Sequence, residues 1–200
     1  MKVIEKLHDG LVHSRRVKVL ASRISELLPK NARVLDVGCG DGLIGALFMK
    51  QRPDVSISGI EVLPRKETFI PVKPFNGIQI PHDDKTFDAV VLIDVLHHTD
   101  HPEQLLAETK RVSKGIIVLK DHTKKGILAA STLRFMDWMG NAHHGVSLPY
   151  NYWTESQWQK VFSKLNLQVV SWDSKIALYP FPANLFFDRC LHFIAILKNG

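Results

Sequence analysis

The sequence predicts an α/β protein in which helices alternate with buried strands and pack on both sides of a mostly parallel sheet. Three observations predict it. Val34-Leu35-Asp36-Val37 is an apolar strand that stops in the turn Gly38-Cys39-Gly40-Asp41-Gly42, and Leu43, Ile44, Leu47 and Phe48 follow at helical spacing. Phe87 to Val95 is nearly all apolar, as a strand covered on both faces requires. The segments between such strands carry helical periodicity with their own start and stop signals.

In chain order, the first helix is expected from about Ser14 to Leu28, with Val17, Leu20, Ala21, Ile24, Leu27 and Leu28 as its apolar stripe and Pro29 as its stop. The first strand is Arg33 to Val37. After the glycine turn and its helix, Pro53-Asp54 breaks the chain and Val55 to Val62 reads as the second strand. A loop with Pro64, Pro71 and Pro74 follows, with a short third strand expected at Thr68 to Val72. Phe87 to Val95 is the fourth strand. Pro102 starts a helix through Val112, and Gly115 to Lys120 is the fifth strand. Lys125 to Met139 and Thr154 to Leu165 read as helices, the latter with Thr154 as its N-cap. Leu167 to Trp172 and Cys190 to Leu197 supply the last two strands.

The bulk numbers bound the rest. Two hundred residues suit one domain over 1–200, and 45% hydrophobic with 23% charged residues is ordinary for a soluble globular chain. Apolar stretches such as Leu191 to Leu197 are too short to span a bilayer. The first residues, with Lys2, Glu5, Lys6, His8 and Asp9, lack the apolar core of a signal peptide, so a cytoplasmic location is expected. Cys39 and Cys190 do not form a disulfide framework. The net charge of +6 is scattered, and its densest group, Arg15, Arg16, Lys18 and Arg23, reads as the solvated side of the first helix. A nucleic-acid partner is therefore not expected.

The glycine turn narrows the ligand. Gly40, Gly42 and Gly45 spell G-x-G-x-x-G, which taken alone suggests a dinucleotide with its pyrophosphate on a helix N-terminus. Asp36 and Asp41 oppose that, since each carboxylate would repel a pyrophosphate by roughly a kcal/mol or more in a half-buried site. A cationic ligand turns the cost into a gain. The pattern D-x-G-x-G-x-G at Asp36, Gly38, Gly40 and Gly42 resembles the S-adenosylmethionine (SAM) loop of class I methyltransferases. The likeness covers about Arg33 to Val118, and the C-terminal third only by order of elements.

The resemblance implies a three-layer α/β/α sandwich on a seven-stranded, mostly parallel sheet with the last strand antiparallel. It divides the domain into a helical cover at 1–30, the cofactor half, and substrate-side insertions at 123–155 and 178–189. SAM would be bound by Asp36, Gly38, Cys39, Gly40 and Gly42. Glu61, at the end of the second strand, would accept both ribose hydroxyls, with Val62 beside it. Asn76 stands where family members often keep an acid for the adenine amino group, and Asp94 ends the fourth strand facing the cofactor.

Methyl transfer needs an in-line nucleophile, exclusion of water and, for a hydroxyl acceptor, a base. Val95-Leu96-His97-His98 resembles the V-L-H-H sequence of many small-molecule methyltransferases, and Lys120-Asp121-His122 ends the fifth strand at the matching height. His97, His98 and His122 are the candidate bases, with packing against the sheet as the alternative. Asp94, Asp121 and His122 also fall where metal-dependent phenol methyltransferases keep ligands, but a histidine does not suit magnesium, and no metal is expected. Trp138, His143, His144, Tyr150 and Tyr152, on the long segment after the fifth strand, are the expected substrate-binding residues. Together they predict O-methylation of a small apolar or aromatic molecule, with carbon and nitrogen acceptors left open. The alternatives are an RNA or protein methyltransferase, an NAD-dependent oxidoreductase, and a non-catalytic domain of the same fold. The absence of an N-P-P-Y-like sequence at Asp94-Val95-Leu96-His97 counts against adenine N6 chemistry.

Overall fold

The computed structural model describes residues 14–141 and 149–200. Seven strands, β1 (Arg33–Val37), β2 (Ser56–Glu61), β3 (Val72–Pro74), β4 (Phe87–Ile93), β5 (Ser113–His122), β6 (Leu167–Asp173) and β7 (His192–Asn199), form one sheet in the order β3-β2-β1-β4-β5-β7-β6. The strands from β3 to β5 pair in parallel, while β7 runs antiparallel to both β5 and β6. Among the described residues the helices are α1 (Ser14–Ser25), α2 (Leu43–Gln51), α3 (Pro102–Val112), α4 (Ala129–Asn141), α5 (Glu155–Lys164) and the single turn α6 (Asn184–Phe187). Among the described residues no helix is long and apolar enough to cross a membrane.

Alternation along each strand sends side chains to two cores. Val34, Ala89, Val91 and Val118 pack with Leu20 and Ile24 of α1 and Phe48 of α2. Leu35, Val90, Leu92 and Leu119 pack with Leu105 and Leu106 of α3 and Trp158 and Phe162 of α5. Strand order reverses between β1 and β4. In such a sheet the ligand crevice opens at the carboxyl ends of those two strands.

Element boundaries depart from expectation where backbone signs change. Asp94 has φ 56, so β4 stops at Ile93 and the chain turns into a 3-10 turn at Leu96–His98. Gly126 (φ 84) and Leu128 (φ 62) delay α4 to Ala129, and Cys190 (φ 56) delays β7 to His192. The third strand is not Thr68 to Val72 but Val72–Pro74. Residues 68–70 instead strap the glycine loop: Phe69 N donates to Asp41 O at 2.8 Å, and buried Ile70 lies over Gly42, Gly45 and Gly59. Thr154 caps α5 as expected, within a full capping box with Gln157.

Candidate active site

The glycine loop leaves β1 in conformations that side chains resist. Gly38 has φ +67, and a Cβ there would stand 2.7 Å from the Val95 side chain; Gly42 has φ +79, and a Cβ would collide with Ile70. Gly40, also at positive φ, faces open space and lines a cavity of about 830 Å³. Glu61 closes the loop from the end of β2. Its Oε2 accepts from Gly40 N at 2.8 Å, and its Oε1 accepts from Val62 N at 2.8 Å and Leu63 N at 3.1 Å. Three of a carboxylate's roughly four acceptor directions are thus taken by backbone. Accepting two ribose hydroxyls at once requires one of those donors to yield. Val62 and Leu63 are half-exposed on the same wall.

Three expected cofactor residues stand differently from their assigned roles. Asp36 lies beneath the loop rather than on the cavity wall, 3% exposed, with Oδ2 beside Gly45 of α2. It has no ion pair among the described residues, and burial together with the Glu61 charge raises its carboxyl to about 7. Cys39 turns its Sγ into Gly59 and donates its backbone N–H to Ile60 O at 3.3 Å; burial and the neighbouring carboxylates raise its thiol far above the usual range. It packs the underside of the loop. Asn76 lines the cavity, but its Oδ1 already accepts from Ile78 N at 3.0 Å and Gln79 N at 2.8 Å. Only its amide N–H groups remain to meet an adenine ring, as donors to a ring nitrogen rather than acceptors from the amino group.

Beyond the loop, the ends of β4 and β5 carry a buried polar cluster. Asp94 pairs with both Lys120 and Arg16, and although burial acts to raise its carboxyl, these two cations hold it well below the usual range. Lys120 is fully buried and is lowered by that burial; its Nζ also lies 3.4 Å from His192 Nδ1, whose other nitrogen donates to Phe187 O at 3.1 Å. Asp121 orients its neighbours. Its Oδ1 accepts from His97 Nδ1 at 2.6 Å and from His122 N at 2.7 Å, and its Oδ2 from Leu96 N at 3.1 Å.

The three histidines differ in charge because their surroundings differ. Burial acts to lower His97, but Asp121 and Asp137 outweigh it and raise the imidazole to about 10. His98 is lowered to about 4 by burial and by charged His97, and His122 is lowered by burial, Lys120 and His97. At neutral pH His97 is a cation and the other two are neutral. All three line the cavity that begins at the loop.

The side of that cavity farthest from the glycine loop comes from α4 and α6, through Met136, Asp137, Met139 and Phe187. Trp138 does not reach it: half-exposed, it occupies the outer face of α4, about 100° around from Asp137. Tyr152 is buried behind Asp137 and donates its hydroxyl to that carboxylate, while Tyr150 lies under the Arg134 guanidinium, 5.4 Å from its ring centroid. His143 and His144 lie outside the described residues. Sequence reasoning missed Asp137 and Arg16. Asp137 shares the buried stripe of α4 with Ala129 and Leu133, an acid in an apolar row, which is a readable signal. Arg16 had none, because it belongs to a basic group that the structure takes apart. Arg16 turns inward to Asp94, Arg15 donates to Ala177 O at 3.3 Å, and Arg23 pairs with Asp173 at 3.0 Å.

The cavity suits a cationic ligand. Glu61, Asp94, Asp100 and Asp137 on its wall outnumber Arg16, Arg65 and the charged His97, four to three, and its positive-φ glycines allow close backbone approach. A family model described as a methyltransferase domain matches residues 12–172. An uncharacterized methyltransferase of Schizosaccharomyces pombe is 30% identical over 127 residues, 54% of this chain and 46% of that protein. A ubiquinone biosynthesis O-methyltransferase of Rickettsia conorii is 26% identical over 178 residues, covering 72% of this chain and 60% of that one. The chain thus spans about half the length of the curated relatives it matches. In fold, it superposes on a Haloferax volcanii methyltransferase solved with the Trm112 activator, with TM-score 0.70, 14% identity and 96% of each chain covered. By the extent of the family match and the seven-stranded sheet, this chain belongs to the methyltransferase-domain family, as a class I, SAM-dependent member.

Proposed function

We propose that this protein transfers a methyl group from SAM to the oxygen of a small acceptor with an apolar or aromatic body. The carrying observation is one continuous cavity that runs from Gly38, Gly40 and Glu61, past His98 and His122, to Met136 and Phe187. The cofactor half and the acceptor half meet at the histidines. When bound, SAM supplies a methyl group made electrophilic by its positive sulfur. The chain's own residues do the rest. The loop and Glu61 hold the cofactor, and Met136, Met139 and Phe187 hold the acceptor out of water. The proton released by the acceptor hydroxyl would pass to a neutral imidazole of the chain. His97, already charged, cannot take that proton; His98 and His122 can. The likeness to an O-methyltransferase supports oxygen as the acceptor atom.

Calorimetric titration with SAM, its demethylated product and NAD tests the cofactor, and binding of NAD alone would end this reading. Transfer of labelled methyl into a panel of phenols and apolar alcohols tests the acceptor. Replacing His98 or His122 with Ala is expected to lower turnover roughly 10²- to 10⁴-fold for whichever serves as base, with SAM affinity unchanged. If both variants keep wild-type turnover, no histidine takes the proton.

A further inference from the structure

The buried His97 imidazole has an unexplained atom. Its Nδ1 donates to Asp121, yet its Nε2 makes no hydrogen bond among the described residues and has only the Asp137 carboxylate as an ion-pair neighbour, Oδ2 at 3.5 Å; a metal ion there would take the place of the Nε2 proton. Buried polar atoms are satisfied as a rule, and an orphan calls for a missing partner. His98 stands against His97 with ring centroids 4.0 Å apart, and donor atoms of His97, His98 and Asp137 all lie within 4.8 Å of one another. We propose that His97 Nε2, His98 and Asp137 bind one divalent transition-metal ion, zinc best matching the donors, at the centre of the cavity.

The donor set is two nitrogens and one carboxylate oxygen, the composition of catalytic zinc sites that keep a position open. Ligand atoms about 2.1 Å from a tetrahedral ion lie about 3.4 Å apart, close to the 3.5 Å between His97 Nε2 and Asp137 Oδ2. The surroundings also match. A metal-bound histidine commonly donates its second nitrogen to a carboxylate, as His97 does to Asp121, and Tyr152 donates to Asp137. All three proposed ligands line the cavity, so the open position faces the acceptor. The neighbouring set of Asp94, His97, Asp121 and His122 is equally close but is spent: Asp94 is paired with Lys120 and Arg16, and Asp121 already accepts three hydrogen bonds. This assignment replaces the expectation of no metal. Resting on the methyl-transfer reading, it deepens the mechanism: the ion holds the acceptor oxygen and acidifies its hydroxyl, His98 serves as a ligand, and the proton goes to His122.

The test is titration of the metal-stripped full chain with zinc chloride, followed by elemental analysis and by visible spectroscopy of the cobalt(II)-loaded chain. One equivalent is expected, with cobalt bands typical of nitrogen and oxygen ligands. Asp137→Asn, His98→Ala and Asp121→Asn should each weaken zinc binding on the order of 10- to 100-fold, and His122→Ala should leave it unchanged. No zinc binding by the wild type, equal preference for magnesium, or binding that survives both Asp137→Asn and His98→Ala would overturn the site. The cobalt spectrum of the wild type decides the donor set even if a variant fails to fold. Zinc binding by a chain that does not bind SAM would leave the metal site standing and sink the methyl-transfer reading. Methyl transfer by a chain that binds no zinc would do the reverse.

Discussion

Glu61 serves the loop and the ligand with one carboxylate. It fixes Gly40 through a 2.8 Å hydrogen bond and remains on the cavity wall. Glu61→Ala should therefore weaken SAM binding by roughly 1–3 kcal/mol through lost charge-assisted hydrogen bonds; calorimetry showing unchanged affinity would remove Glu61 from the site. At this scale the sequence was legible where a residue's role is written in its neighbours. Gly38 and Gly42 sit in a turn that requires their positive φ, and Glu61 ends a strand. It was illegible where the role depends on a distant partner. Asn76 aligned with an acid, but local backbone N–H groups at 78 and 79 consumed its oxygen. Arg16 looked solvated because nothing within its own helix reveals Asp94, 78 positions away.

The helices show the same division between local and long-range information. The sequence reads α4 as a helix, yet aromatics on a long segment suggest a pocket and point to Trp138 as its ligand-facing residue. Periodicity gives the other answer. Ala129, Leu133 and Asp137 recur every four residues on the buried face, which leaves Trp138 on the outer one. Trp138→Ala is accordingly expected to keep wild-type kcat and KM, while Leu133→Ala, fully buried on the inner face, should cost about 2–5 kcal/mol of stability in denaturant unfolding. A Trp138 variant with impaired turnover would restore that residue to the acceptor site. Boundaries were missed for a plain reason. Leu128 and Cys190 adopt positive φ without being glycine, and neither residue type announces that; Asp94, of a type more tolerant of positive φ, is a weak signal inside an apolar run.

Taken whole, the molecule stores a charge conflict beneath the cofactor loop that its ligand can relieve. Asp36 is buried beside Glu61, and its carboxyl stands near 7 in the fold against 3.8 in the unfolded chain. Between those values the folded state holds a proton that the unfolded state has lost. The stability that Asp36 contributes is therefore largest at and below pH 4, declines as pH rises toward 7, and is flat beyond, a loss of up to about 4 kcal/mol from this one group. Asp36→Asn removes the ionisation, so the variant should gain on the wild type progressively from pH 4 to 7 when unfolding is followed by denaturant titration. A sulfonium and an ammonium above the loop favour the carboxylate form and expel the proton. SAM affinity should thus strengthen by up to about tenfold per pH unit below 7 and level off above it, and the slope should vanish in Asp36→Asn. Calorimetry at pH 5.5, 7 and 8.5 reads both. A wild-type affinity that does not change across this range would mean that Asp36 does not sense the cofactor's charge, and the preference of the loop for a cation over a pyrophosphate would then need another source.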